Sequence, residues 1–218
     1  MRAESYRPRL QEASRAEKYA TRFERGARRR IDQREQRSVR NIFASLDGCE
    51  SVLDVPSGAG RFLASLNERP RRVIEADVAL EILEFARARG KKQGLNAGYV
   101  QADALRLPLR DGAVDCVFCN RLLHHIVSVE ERAVFLREMR RVSRRYVVVS
   151  FFDYQKFGRV RRLLKKLKGR KPKYDGQPTL VQFQEEATRC GFQVRDVVPT
   201  GAVWVAQKYF VLEKGGAQ

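Results

Sequence analysis

No run of about 18 apolar residues occurs in the 218-residue chain, so no segment is long enough to span a bilayer as a helix. Histidine is scarce, with only the adjacent pair His124 and His125. The four cysteines are Cys49, Cys116, Cys119 and Cys190. Cys116 and Cys119 form a C-x-x-C, but within a run that reads as a strand, where residues three apart point to opposite faces. No second pair accompanies them, so no metal site is expected. So few thiols fit a reducing compartment, and a cytoplasmic location is expected. The first 46 residues lack the apolar centre of a secretory signal and hold six acids, which excludes an organellar transit peptide as the expectation. Internal repeats and low-complexity linkers are absent too. Hydrophobic residues make up 43% of the chain, enough for one domain of ordinary size with a substantial core.

Acid is in short supply: 26 Asp and Glu against 44 Lys and Arg give a formal net charge of +18. The excess is not spread evenly. Residues 1–46 hold 13 basic residues against 6 acids, net +7, and residues 156–173 hold 10 basic residues and no acid, net +10. The rest of the chain is close to neutral. The chain therefore divides into 1–46, read as basic N-terminal helices packed on the core, and 47–218, a catalytic domain carrying a basic insertion at 156–178.

Hydrophobic periodicity predicts the elements. Residues 11–31 read as a very basic helix. A second helix is expected to open at Asp32, with Asp32 and Glu35 as a capping-box-like pair and Val39, Ile42, Phe43 and Leu46 as its apolar face. Strands follow at 51–55, 72–77, 97–101, 114–119, 146–151, 192–198 and 203–213, with helices at 61–67, 79–89, about 128–144 and from Thr179 to Gly191. This alternation predicts an α/β fold: a mostly parallel seven-stranded sheet with helices on both faces and an antiparallel strand near the C-terminus.

The stretch Ser51-Val-Leu-Asp-Val-Pro-Ser-Gly-Ala-Gly-Arg-Phe-Leu63 is the most informative. A buried strand ends in Asp54, passes through a tight turn and opens a helix. Gly58 and Gly60 let the main chain approach a ligand closely, and the helix start offers backbone amides. A dinucleotide fingerprint would want glycine where Leu63 stands, and a P-loop would want Gly-Lys-Ser/Thr, which is absent. Two further strands, Arg72–Asp77 and Gly112–Asn120, end in a polar residue, and Gln101–Pro108 carries Asp103.

Together these segments resemble the class I S-adenosylmethionine-dependent methyltransferases, in particular the small ubiquinone- and menaquinone-biosynthesis type. The family's first motif is an apolar run followed by Asp-x-Gly-x-Gly-x-Gly; here Pro56 replaces its first glycine. The resemblance covers about residues 40–213 and implies a Rossmann-like fold and S-adenosyl-L-methionine as cofactor. It implies that Asp54, Pro56, Gly58 and Gly60 line the cofactor and that Asp77 accepts from the ribose hydroxyls. Asp103 and Ala104 then sit at the adenine, and Asn120 follows the fourth strand beside the cofactor. The chemistry suits these residue types, since an ionised carboxylate accepts strongly from hydroxyl and amino donors.

His124 and His125 are candidates for a catalytic base, since a neutral imidazole can take a proton from an attacking group; equally, they read as a structural pair ending a loop. Phe151, Phe152 and Tyr154 leave the fifth strand at the edge where open α/β sheets bind ligands, and are expected to line an acceptor pocket. In residues 158–168, Val160, Leu163, Leu164 and Leu167 share one helical face and the rest is cationic. Such a helix either docks on the protein's own core or lies on an anionic surface, such as the inner face of a membrane. The expected activity is methyl transfer to a small-molecule or lipid-like acceptor, possible partners being an anionic membrane or, as the runner-up, RNA gripped by the basic segments. A non-catalytic cofactor-binding partner protein is the further alternative.

Overall fold

The computed structural model describes residues 26–69, 72–153, 177–201 and 205–215, together with Thr21 and Phe23. Most of the basic stretch 11–31, Tyr154 and the amphipathic segment 158–168 lie outside the described residues. The first helix, α1, is Gly26–Ala44. The break expected at Asp32 does not occur. No glycine or proline interrupts 27–44, so nothing stops the helix there. Asp32 is held by Arg61 at 2.7 Å instead of capping.

The chain then alternates through β1 (Ser51–Asp54), α2 (Leu63–Leu66), β2 (Arg72–Asp77), α3 (Leu80–Lys92), β3 (Gly98–Gln101) and β4 (Val114–Cys119). A 3-10 turn at Leu123–His125 leads to α4 (Val129–Val142), β5 (Ser143–Phe152), α5 (Leu180–Arg189), β6 (Phe192–Pro199) and β7 (Gln207–Lys214). The seven strands form one sheet in the order β3-β2-β1-β4-β5-β7-β6. β1 pairs in parallel with β2 and β4, β2 with β3, and β4 with β5. Only β7 runs against its neighbours, pairing antiparallel with both β5 and β6. The expected mostly parallel α/β sheet with an antiparallel C-terminal strand is the fold observed. Chain order reverses at β1 and β4, which opens the crevice where such sheets take ligands.

Both sheet faces are covered, which is why the strands read as continuous apolar runs. Successive residues alternate between two cores. Leu53, Val117, Cys119, Val147, Val149, Phe210 and Leu212 pack towards α4 and α5. Val52, Cys116, Phe118, Tyr146, Val148 and Tyr209 pack towards α1 and α2, meeting Val39, Ile42, Phe43 and Leu46. Cys116 and Cys119 therefore lie in opposite layers. Ser128 starts α4 by accepting from Glu131 N at 3.3 Å. Thr179 and Gln182 form a complete capping box at α5. A buried bidentate pair joins these helices: Arg132 Nε and Nη2 each lie 2.7 Å from a Glu186 carboxylate oxygen.

Candidate active site

The turn after β1 is clamped by its neighbours. Val55 N donates to Phe118 O at 2.9 Å and Ser57 N to Ala76 O at 2.8 Å, tying the turn to β4 and β2. A cis peptide bond precedes Pro56, and Gly58 and Gly60 have φ of 55° and 65°. A Cβ at Gly60 would stand 3.1 Å from Ala86 Cα and Cβ on α3. Left-handed backbone and close helix approach both require glycine there.

Asp77 ends β2 directly beneath this turn. Its Oδ2 accepts from Gly58 N at 2.9 Å and its Oδ1 from Ala79 N at 3.0 Å. A carboxylate offers about four lone-pair sites, and the Val78 amide also lowers the Asp77 pKa alongside these two donors. Burial pushes its pKa up, tempered by these backbone donors. Asp54, 1% exposed, has no hydrogen-bond partner on either oxygen among the described residues. Burial raises its carboxyl well above the ordinary range, and the nearby Glu75 adds to the rise. Asp103 lies past the end of β3; its Oδ1 accepts from Leu105 N at 3.0 Å and Ala104 is buried beside it. Ala102 N donates to Asp77 O at 2.9 Å, which brings the β2 and β3 ends together.

Asn120 follows β4 and is buried; its Oδ1 accepts from Gln207 Nε2 at 3.3 Å and from Tyr209 Oη at 3.2 Å. Phe152 ends β5 on the same side of the sheet, with the His124 ring edge-on at 5.0 Å and His125 a further 4.0 Å from His124. His124 is half-buried and His125 exposed. Phe151, expected to line the same pocket, lies in the opposite core instead, 2% exposed between Phe183 and Phe210 with both rings at 5.4 Å. Strand alternation sends neighbours to opposite faces, so Phe151 and Phe152 cannot share a wall.

Several residues of the site were not singled out in the sequence. Glu75 is fully buried two positions before Asp77 on the same face of β2, and burial pushes its carboxyl up to about 8 against the pull of Ser57 and Arg89. The period of two would have flagged it. Glu35, 1% exposed on α1, pairs with Arg61 and Arg121 at 2.5 Å each. Arg61 is the first residue beyond the glycine turn and Arg121 the first beyond Asn120. Arg61 also stacks on Phe23, 4.3 Å from its centroid. One buried carboxylate thus ties α1 to both loops at the crevice.

Comparison with known proteins follows this geometry. Residues 53–150 match the family profile described as "Methyltransferase domain". A demethylmenaquinone methyltransferase of Thermus thermophilus is 33% identical over 102 residues, 46% of this chain and 46% of its own length. A malonyl-[acyl-carrier protein] O-methyltransferase of a Marinomonas species is 38% identical over 85 residues, 38% of this chain and 31% of its own. The matched stretch thus spans less than half the length of these curated relatives. Among solved structures, magnesium protoporphyrin IX methyltransferase of Synechocystis PCC 6803 with bound SAH shares the fold. Its TM-score is 0.75 at 15% identity, covering 99% of this chain and 100% of that one. The seven-stranded fold is thus shared with a solved methyltransferase, and residues 53–150 match a methyltransferase domain.

Proposed function

We propose that the protein transfers a methyl group from S-adenosylmethionine to a small-molecule or lipid-like acceptor that is anionic or presented at a membrane surface. The observation that carries the reading is the glycine turn after β1, whose Gly58 amide is held 2.9 Å from Asp77 at the end of β2. The sulfonium supplies an activated methyl group, so the protein's part is to position and orient. In this reading Asp54, Pro56, Gly58 and Gly60 cradle the cofactor and Asp77 accepts from its ribose hydroxyls. Asp103 and Ala104 meet the adenine, Asn120, expected beside the cofactor, stands between it and the acceptor, and Phe152 borders the acceptor. His124, half-buried against Phe152, and the exposed His125 are the candidates for taking a proton from an acceptor that arrives protonated.

The acceptor class is supported by the demethylmenaquinone and malonyl-acyl-carrier relatives and by the two basic stretches, which carry almost all of the formal +18. Each cation near an anionic bilayer contributes about 1 kcal/mol, so several acting together give reversible binding. The same charge is the one observation favouring an RNA acceptor. No helix among the described residues is long and apolar enough to cross a membrane.

The test is methyl transfer from radiolabelled S-adenosylmethionine to a reduced naphthoquinone embedded in anionic or zwitterionic liposomes, with structured RNA as a competing substrate. Label in the quinol fraction, faster on anionic vesicles and suppressed by salt, is expected. Label in RNA alone would replace this reading with the nucleic-acid one.

A further inference from the structure

Asn120 follows β4 beside the C-terminal part of β5, and its amide orientation is set by its neighbours. An arginine can only donate. Arg121 Nη2 donates to Gln207 Oε1 at 3.2 Å while Glu35 Oε1 holds the same nitrogen at 2.5 Å. Gln207 must therefore turn its oxygen to Arg121 and its NH2 to Asn120, whose oxygen receives it at 3.3 Å. Tyr209 donates to that oxygen as well, at 3.2 Å. Burial raises the Tyr209 phenol well above its ordinary value, with Glu35 adding, so the hydroxyl keeps its proton and remains a donor. The choice between Asn O and Asn N, ambiguous for an isolated amide, is thus settled by a relay that begins at a guanidinium.

The consequence concerns the other end of the amide. Both lone pairs of Asn120 Oδ1 are used. Asn120 is 7% exposed, and its Nδ2 makes no hydrogen bond among the described residues. With its oxygen taken up by Gln207 and Tyr209, the amide has N–H groups and no free oxygen to offer a ligand.

Resting on the methyl-transfer reading above, we infer that Asn120 is a specificity-determining donor whose Nδ2 bonds an oxygen of the acceptor, selecting oxygen acids such as phenols, enols and carboxylic acids over amines. Facing Nδ2, an arylamine has a single lone pair, delocalised into its ring and required for attack on the methyl group, so it accepts poorly. An ionised oxygen keeps further lone pairs and accepts a charge-assisted bond. Transfer then forms the bond from the acceptor's oxygen, or from the carbon it activates, to the methyl carbon. The methyl–sulfur bond breaks and its electron pair returns to sulfur, leaving neutral S-adenosylhomocysteine. An acceptor already ionised brings no proton to the oxygen; a neutral hydroxyl gives its proton to a histidine of the site or to solvent. When carbon is methylated, the proton displaced from that carbon leaves by the same route. Asn120 meets the acceptor, while Gln207, Arg121 and Glu35 act through it as positioning residues.

The inference is tested with a matched pair of probes, 1-naphthol and 1-naphthylamine, titrated by calorimetry into protein saturated with S-adenosylhomocysteine. Naphthol should bind at least about tenfold more tightly, as a site built around a hydrogen bond rejects the analogue that cannot complete it. Asn120→Asp, which turns the outward donor into an acceptor, should abolish or reverse the preference. Gln207→Leu, which frees the amide to rotate, should shrink it while S-adenosylhomocysteine affinity stays within about twofold. Equal or tighter binding of the amine to wild type, no binding of either probe, or an unchanged preference in the variants overturns the inference. Loss of S-adenosylhomocysteine affinity in Asn120→Asp with probe preference unchanged assigns the amide to the cofactor and overturns it likewise. If Asn120→Asp fails to unfold cooperatively on heating, Gln207→Leu carries the comparison. Failure of wild type to bind S-adenosylhomocysteine at the outset strikes the methyl-transfer reading instead.

Discussion

Arg121 is the single non-glycine residue with positive φ, at 62°, among those described. That conformation costs about 1–3 kcal/mol and persists only where its surroundings hold it. Here Arg121 N donates to Ser150 Oγ at 2.6 Å and its side chain is gripped by Glu35 and Gln207. Strain next to Asn120 therefore serves the orientation of that amide. Glu75 shows a different cost. Its folded pKa of about 8 lies above its ordinary 4.5, so the unfolded chain releases this proton first. The folded state holds more protons between those values, and stability falls as pH rises through that window, by at most about 1.4 kcal/mol per pH unit. Asp54 and Asp77 shift in the same direction. Glu75→Gln should raise the thermal midpoint at pH 8 and flatten its decline from pH 5. An unchanged pH profile would show that Glu75 is not buried in solution. At the acceptor, His124→Ala should lower turnover on the quinol roughly a hundredfold with S-adenosylhomocysteine affinity unchanged; near-normal turnover in both His124→Ala and His125→Ala would remove the base from the mechanism.

Among the elements, those specified by local spacing were legible. The strand–turn–helix at Ser51–Leu63, the Thr179 capping box and the inward face Phe135, Met139 and Val142 of α4 all rest on residues within a few positions of one another. What local spacing could not reveal was α1's second role. Glu35 looked like a cap because Asp32 stood three residues before it, yet its partner Arg121 is 86 residues away. A signal was available: Glu35 continues the stripe of Val39, Ile42, Phe43 and Leu46, and an acid on an apolar face needs a buried partner. Phe151 was misplaced for the opposite reason, since a run of aromatics was read without strand alternation. The α4–α5 pair tests the element packing. Arg132 and Glu186 are 3% and 7% exposed, so Glu186→Ala leaves a buried guanidinium uncompensated and should cost about 3–5 kcal/mol in urea unfolding. A loss below about 1 kcal/mol would mean that water reaches the pair.

The whole molecule joins a nearly neutral catalytic sheet to two strongly basic stretches at 1–46 and 156–173. Clustered like charge opposes compaction, although the 1–46 stretch also contributes Val39, Ile42 and Phe43 of α1 to the core. In the proposed reading the excess charge of the two stretches recruits an anionic acceptor or surface. In the methyl-transfer reading, cofactor binding belongs to the sheet edge, where the ends of β1 and β2 bring Asp54 and Asp77 to the crevice. Calorimetric titration of the wild type and Asp77→Ala with S-adenosylhomocysteine tests that claim most directly. The wild type should bind, NAD should give no heat, and Asp77→Ala should lose about 1–3 kcal/mol of binding through its lost charge-assisted bonds. No binding by the wild type, or equal affinity in Asp77→Ala, would contradict the cofactor site described.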